Sequence, residues 1–183
     1  SNGGEADLLY LMGSQYCARK GLGRLVDLFD RCQIPATFFT PAVSLMISPE
    51  IGPLMQKSGY HEIAAHGWIH EPLSVVPADQ QMALLEKTRD YLEKETGYRP
   101  VGYRAPYADI NRDILLMLRE LGFAYDSSML ADDSPYEVIV NGEPSGLIEI
   151  PLSLNQEDSV LSIFNGLTTG VLSPRDVLQV YKD

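Results

Sequence analysis

All three histidines of this 183-residue chain lie in one ten-residue stretch, His61 to His70. His66 and His70 are four residues apart, so one helical turn would place both imidazoles on the same face. Two imidazoles so placed can bind one divalent metal, zinc being the best fit, and leave positions for water and substrate. The apolar run 63–65 just before them predicts a buried strand that ends at the pair. Two histidines at this spacing also occur on ordinary solvated loops, so the pair alone leaves a non-functional interpretation open.

Charge, length and cysteine content narrow the class of protein. A net charge of −11 argues against a nucleic-acid partner. We expect a single domain over residues 1–183, and, without a run of 18 apolar residues or a secretory signal, no membrane insertion and a cytoplasmic location. Cys17 and Cys32 predict reduced thiols in the core rather than a disulfide.

Periodicity predicts strands that alternate with helices. Apolar residues at helical spacing predict helices over 21–31, 50–57, from 77 to about 97 with Asp79 as N-cap, over 111–121, and from 173 onward. Strands are predicted near 36–40, 61–65, 101–104, 123–125 and 147–150, with a hairpin through 136–140 and the turn Asn141-Gly142. This order indicates an α/β protein with a parallel sheet, open or closed into a barrel. The chain is short for a complete eightfold barrel, which needs about 250 residues.

Polar residues recur where the predicted strands end. Arg104 to Tyr107 follows one strand, Tyr125 to Ser128 the next, and Glu149 ends the last. Because parallel strands end at one edge of a sheet, these segments should converge on the histidine pair. Convergence makes a functional site the better interpretation of the pair.

The stretches HEIAAHGWIHE, GYRAPYAD, GFAYDSSM and LIEIP, in this order, resemble the polysaccharide deacetylases with a NodB-homology domain, carbohydrate esterase family four. The subgroup most similar to this chain contains peptidoglycan-deacetylase-like and allantoinase-like members. The resemblance implies a distorted (β/α)7 barrel. It also implies hydrolysis of a non-peptide C–N bond, such as an N-acetyl group on a saccharide, by a metal-activated water.

The resemblance also implies roles for individual residues. His66 and His70 match the metal-binding histidines of the family. Arg104 matches an arginine that orients a catalytic aspartate, with a surface ion pair as the alternative. The backbone N–H of Tyr107 matches an oxyanion donor, and Asp126 matches a residue that lines and tunes the site, with a turn carboxylate as the alternative.

Substrate contacts are expected from three residues of the same region: Trp68, Pro106 and Tyr107. For Trp68 a buried packing role is equally open. His61 is expected to be structural, and Glu149 either lines the site or only ends its strand.

The chain departs from the family pattern at both ends. Gly3 stands where the first motif, Asp-x-Asp-Gly-Glu, has an aspartate, and Gly4-Glu5 would be its last two residues. Asp7 or Glu5 is a weaker substitute for the missing carboxylate. The last motif, Leu-x-x-His, would follow the final helix, but the sequence stops at Asp183. We therefore expect an incomplete barrel, an incomplete metal site and weak or no turnover by these 183 residues.

Three functions compete on this basis. The first is a metal-dependent deacetylase or amidohydrolase that acts on a saccharide or small amide. The second is a degenerate barrel that binds a sugar or amide without turnover, which the missing first motif favours. The third is a metal-independent amidohydrolase for a cyclic ureide or imide, against which both histidines argue. A homo-oligomer is left open.

Overall fold

The computed structural model describes residues 15–153 and 172–182, and the strands in these ranges form one six-stranded sheet. The strands are β1 (Thr37–Thr40), β2 (Glu62–Ala65), β3 (Gly102–Tyr103), β4 (Tyr125–Asp126), β5 (Tyr136–Val140) and β6 (Glu143–Glu149). Their order is β1-β2-β3-β4-β6-β5, parallel throughout except for the β5–β6 hairpin. The predicted parallel α/β sheet and the hairpin turn at Asn141-Gly142 are confirmed.

The helices lie between the strands. They are α1 (Leu22–Cys32), α2 (Ala42–Ile47), α3 (Ile51–Met55), α4 (Ala78–Thr96), α5 (Arg112–Glu120) and α6 (Pro174–Val180), with a π-helical turn over Cys17–Gly21 before α1. Asn111 caps α5 by accepting a hydrogen bond from the Ile114 amide at 3.0 Å, and Gly97, at φ +76°, ends α4 as expected. Asp79 is not the N-cap of α4, because the helix begins one residue after Pro77 and Asp79 lies in its first turn.

The two faces of the sheet differ in composition, since successive side chains of a strand alternate. One face packs against the helices and forms the apolar core, which includes Ile63, Ala65, Tyr103, Leu147, Leu85, Leu92, Ile114 and Leu118. The opposite face carries Phe39, Glu62 and Tyr125. The Tyr125 hydroxyl crosses to donate to Glu62 Oε2 at 2.8 Å, and its ring lies directly over Gly102, where a Cβ would overlap it.

Both cysteines are free thiols, and both are exposed rather than in the core as predicted. Cys17 lies in the π-helical turn and Cys32 at the end of α1, on surfaces that face solvent. Within 15–153 and 172–182, none of the helices has the length and apolar content needed to cross a bilayer. The interpretations placed on residues 3–7 lie outside the described residues.

Candidate active site

The two histidines meet, but not on a helix. Residues 66–70 follow β2 as an irregular loop, with Gly67 at φ +77° and His70 at φ +66°. These left-handed conformations reverse the chain, so the centroids of the His66 and His70 rings lie 4.7 Å apart, edge to face. The predicted helical turn was therefore wrong, while the predicted proximity of the rings is present. A non-glycine residue held at positive φ is often found at a functional site.

Hydrogen bonds to the main chain hold this loop in place. Glu71 accepts from the amides of Trp68 at 3.0 Å and Ile69 at 2.6 Å. The first amides of α2 donate to the carbonyl groups of Gly67 and Trp68 at 3.1 and 2.8 Å. The loop is thus anchored from both sides, which fixes the positions of its two imidazoles.

The environment of His66 favours the form of imidazole that binds metals. Its Nδ1 lies 2.7 Å from the carbonyl oxygen of Arg104, so Nδ1 carries the proton and Nε2 keeps its lone pair. Burial, with smaller contributions from His70 and Arg104, lowers the pKa of His66 to about 4, so the ring is neutral near pH 7. Among residues 15–153 and 172–182, no third His, Cys, Asp or Glu completes a metal-binding group around the pair.

A second strained turn lies beside His70. Tyr107 and Ala108 have φ of +60° and +55°, and the Tyr107 ring centroid is 4.9 Å from that of His70. The amides of Ala108 and Asp109 close this turn by donating to Ala105 and Pro106, so the Tyr107 amide takes part in neither bond. The predicted oxyanion donor therefore lies in a turn that directly borders the histidine pair.

The Arg104 guanidinium is positioned by β4 and β1. Its Nε donates to the Ser127 carbonyl at 2.8 Å and Nη2 donates to Ser127 Oγ at 2.7 Å. Its Cζ lies 4.1 Å from the centre of the Phe39 ring, a cation–π contact. Ser127 Oγ in turn donates to the Ile150 carbonyl at 2.7 Å, which ties the arginine to the end of β6.

Asp126 is buried completely, on the same level of the sheet as Glu149 of the adjacent strand. Burial, together with the negative charge of Glu149 and a hydrogen bond to it, raises the pKa of Asp126 to about 8. Glu149 Oε1 accepts from the Met129 amide at 2.8 Å, while its Oε2 has no donor when both carboxyl groups are ionised. A proton held between the two carboxyl groups removes that deficit.

The comparisons with known proteins agree with this arrangement. The profile described as polysaccharide deacetylase matches residues 15–125. This chain belongs to the polysaccharide deacetylase family.

Individual relatives extend the likeness beyond that range. FGM2, a peptidoglycan deacetylase-like protein of Gibberella zeae, is 35% identical over 136 residues, which cover 73% of this chain and 40% of FGM2. The peptidoglycan deacetylase of Helicobacter pylori is 28% identical over 208 residues, which cover 100% of this chain and 71% of that protein.

Solved structures give the same fold. A Mycobacterium smegmatis protein assigned to the polysaccharide deacetylases superposes with a TM-score of 0.83 at 33% identity, over 93% of this chain and 60% of that one. A PuuE allantoinase superposes with a TM-score of 0.81 at 24% identity, over 99% of this chain and 58% of that one, a likeness of fold alone. The predicted NodB-type fold is confirmed, and the six described strands form an incomplete barrel. The chain spans little more than half the length of these solved relatives.

Within this polysaccharide deacetylase fold, the predicted site residues divide into two groups. His66, His70 and Tyr107 meet at the ends of β2 and β3, and the main chain of Arg104 joins them. Asp126, although close in the sheet, offers no surface to a ligand.

Two of the residues expected to contact substrate pack against protein instead. The Trp68 ring lies 5.5 Å from that of Tyr91 on α4 and has the Lys87 Nζ 3.7 Å from its centre. Pro106 is almost completely buried, and a Cβ added to Gly67 would lie only 3.1 Å from its Cγ. The substrate contacts of Trp68 and Pro106 therefore stay predictions, whereas the Tyr107 side chain is 73% exposed beside His70.

His61 is structural, as expected. Its side chain is fully buried, with Nδ1 accepting from the Ala36 amide at 3.1 Å and Nε2 donating to Asp30 at 3.2 Å. His61 itself lies just before the start of β2, at the opposite end of the strand from His66.

Several residues that shape this candidate site were given no individual role from the sequence. They are Phe39 beneath Arg104, Glu71 in the histidine loop, and the serines Ser127 and Ser128 after β4. The adjacent Ser-Ser pair after a strand was the one usable signal, since small hydroxyl residues there can bond to neighbouring main chain.

Proposed function

We propose that this chain forms the core of a metal-dependent hydrolase that cleaves a non-peptide amide bond, such as the N-acetyl group of a saccharide. One observation carries the proposal: His66 and His70 face each other next to the Tyr107 turn, with the Nε2 lone pair of His66 free of the bond that Nδ1 makes. The names of relatives support the substrate class. They include the H. pylori peptidoglycan deacetylase and, at 30% identity over 115 residues, chitin deacetylase 2 of Saccharomyces cerevisiae.

His66 and His70 are the residues that would hold the metal, and their chemistry fits it. A neutral imidazole whose Nδ1–H donates to a backbone carbonyl is the usual ligand form for zinc. When bound, a divalent cation such as zinc lowers the pKa of water and polarises the carbonyl group under attack. Two imidazoles need at least one further ligand, which a carboxylate from outside residues 15–153 and 172–182 would supply.

Tyr107 and Arg104 would act on the substrate and on the base. The Tyr107 amide would donate to the oxygen of the amide as negative charge develops on it. The exposed Tyr107 ring would flank the sugar beside His70. The guanidinium of Arg104, held by Ser127, would keep a carboxylate base ionised and oriented.

The test uses the natural full-length protein, assayed for bound metal and for acetate released from N-acetylated glucosamine oligomers and from peptidoglycan. We expect bound zinc or a similar cation, and loss of acetate release on chelation that is restored by added metal. His66→Ala should abolish both metal binding and turnover. His61→Asn, which alters the third imidazole of the chain, should lower thermal stability while the folded protein keeps its metal.

Two results would contradict the proposal, and each favours a competing function. Turnover that survives both chelation and His66→Ala would indicate a metal-independent amidohydrolase. Saccharide binding without any release of acetate by the full-length protein would indicate a binding barrel.

A further inference from the structure

The peptide group between Arg104 and Ala105 is hydrogen-bonded at both ends. Its carbonyl oxygen accepts from Nδ1 of His66 at 2.7 Å. Its N–H, on Ala105, donates to Oγ of Ser128 at 2.8 Å. One flat and rigid group therefore connects the histidine loop to the segment that follows β4.

The Ser128 hydroxyl can take only the acceptor role in its hydrogen bond to this peptide. Its Oγ lies 2.8 Å from Oδ1 of Asp126, and the Ser128 amide donates to Oδ2 of the same carboxyl at 3.1 Å. The Ser128 hydroxyl proton therefore points to Asp126, which leaves an oxygen lone pair for the Ala105 amide. Asp126, Ser128 and Ala105 are all buried, so water does not compete for these bonds.

The three bonds share one direction. His66 donates to the peptide, the peptide donates to Ser128, and Ser128 donates to Asp126. In such a chain each bond polarises the next, so a carboxyl group at its end strengthens every acceptor before it. The Arg104 carbonyl becomes a better acceptor for Nδ1–H, which fixes the tautomer and makes Nε2 more basic.

We propose that Asp126 and Ser128 are positioning residues that act on His66 through the peptide group between Arg104 and Ala105. The inference rests on the proposed function, because it takes His66 as a metal ligand. It gives Asp126 a role that does not require contact with substrate, which its complete burial prevents. It also assigns a role to Ser128, a residue of the GFAYDSSM stretch to which neither the sequence motifs nor the comparisons give a role.

The test replaces the hydroxyl of Ser128 and measures zinc affinity by competition with a chromophoric chelator in the full-length protein. Ser128→Ala should weaken zinc binding about 10-fold, the lower end of what outer-shell partners contribute. Ser145→Ala is the matched control, because Ser145 is also buried and its Oγ accepts a backbone amide, that of Leu147, at 3.1 Å. The control should bind zinc within about twofold of wild type. If Ser128→Ala does not fold, Ser128→Cys replaces it, because a thiol is a weaker acceptor of similar size. This variant should weaken zinc binding as well.

A second measurement uses metal-free protein and does not depend on zinc. Long-range 1H–15N NMR spectra report which nitrogen of His66 carries the proton. Wild type and Ser145→Ala should show the Nδ1–H tautomer, and Ser128→Ala should show a smaller fraction of it. Zinc affinity and tautomer unchanged in Ser128→Ala would overturn the inference.

The two proposals can fail separately. If the wild-type protein binds no zinc, the proposed function fails, and the tautomer alone then decides whether Ser128 positions His66. If wild type binds zinc, and Ser128→Ala keeps both the zinc affinity and the His66 tautomer of wild type, the proposed function stands and the positioning role is refuted.

Discussion

Replacing Asp126 by asparagine should remove a pH dependence from the stability of the fold. Asp126 and Glu149 are both fully buried, and their mutual repulsion is relieved only while one proton is held between them. In the unfolded chain Asp126 titrates near its ordinary pKa of 3.8, whereas in the folded protein its pKa is raised to about 8. In the Asp126→Asn variant, the new side-chain amide can donate permanently to the oxygen of Glu149 that otherwise has no donor.

The sign and size of this pH dependence of stability follow from proton linkage. Between the two pKa values the folded state binds more protons than the unfolded state, so the free energy of unfolding falls as the pH rises. This decrease in the free energy of unfolding begins above about pH 4 and is complete above about pH 8. Between these limits it amounts to at most about 1.4 kcal/mol for each pH unit. From about pH 5 to about pH 7 the wild type should therefore lose up to about 3 kcal/mol relative to Asp126→Asn.

Urea unfolding at several pH values measures this difference. Glu149→Gln should reduce the pH dependence only in part, because burial, the largest cause of the raised pKa of Asp126, remains when the charge of Glu149 is removed. Ser145→Ala, a buried substitution that changes no charge, should keep the wild-type slope. Parallel stability curves for wild type and Asp126→Asn across this range would refute the reasoning.

Two glycine substitutions test the packing around the site, each by chemical denaturation. Gly102→Ala should destabilise the protein by about 3 kcal/mol, because its Cβ would overlap the Tyr125 ring; a loss below about 1 kcal/mol would show that the ring moves aside freely. Gly67→Ala should cost about 1 kcal/mol more than Gly122→Ala. Both glycines have positive φ, but only at Gly67 does the new Cβ meet a neighbour, the Pro106 ring, and equal costs would contradict that contact.

Local signals in the sequence were enough to place most elements. Asn111 and Gly97 mark helix ends because their side-chain chemistry and conformational freedom act within a few residues. The Asn141-Gly142 turn is set in the same local way, and both of its residues have positive φ. The short helix Ala42–Ile47 was missed, because six residues after a strand carry no readable period.

The candidate site was only partly predictable, because much of it depends on contacts between distant segments. The spacing of His66 and His70 suggested their proximity for the wrong reason, since a left-handed loop rather than a helix brings them together. The pairing of Asp126 with Glu149 depends on the register of β4 against β6, which no local pattern encodes. The hydrogen bond between the Ala105 amide and Ser128 likewise forms only because β3 and β4 lie side by side.

The peptide unit between Arg104 and Ala105 has a consequence for how this region can vary. A connection made by main-chain atoms does not depend on the chemistry of the side chain at position 105, but Ala105 is buried in the core, so the space around it restricts the size of that side chain. Proline is the exception, since it has no N–H to donate. Ala105→Pro would thus cut the connection at its middle while leaving His66, Ser128 and Asp126 chemically unaltered.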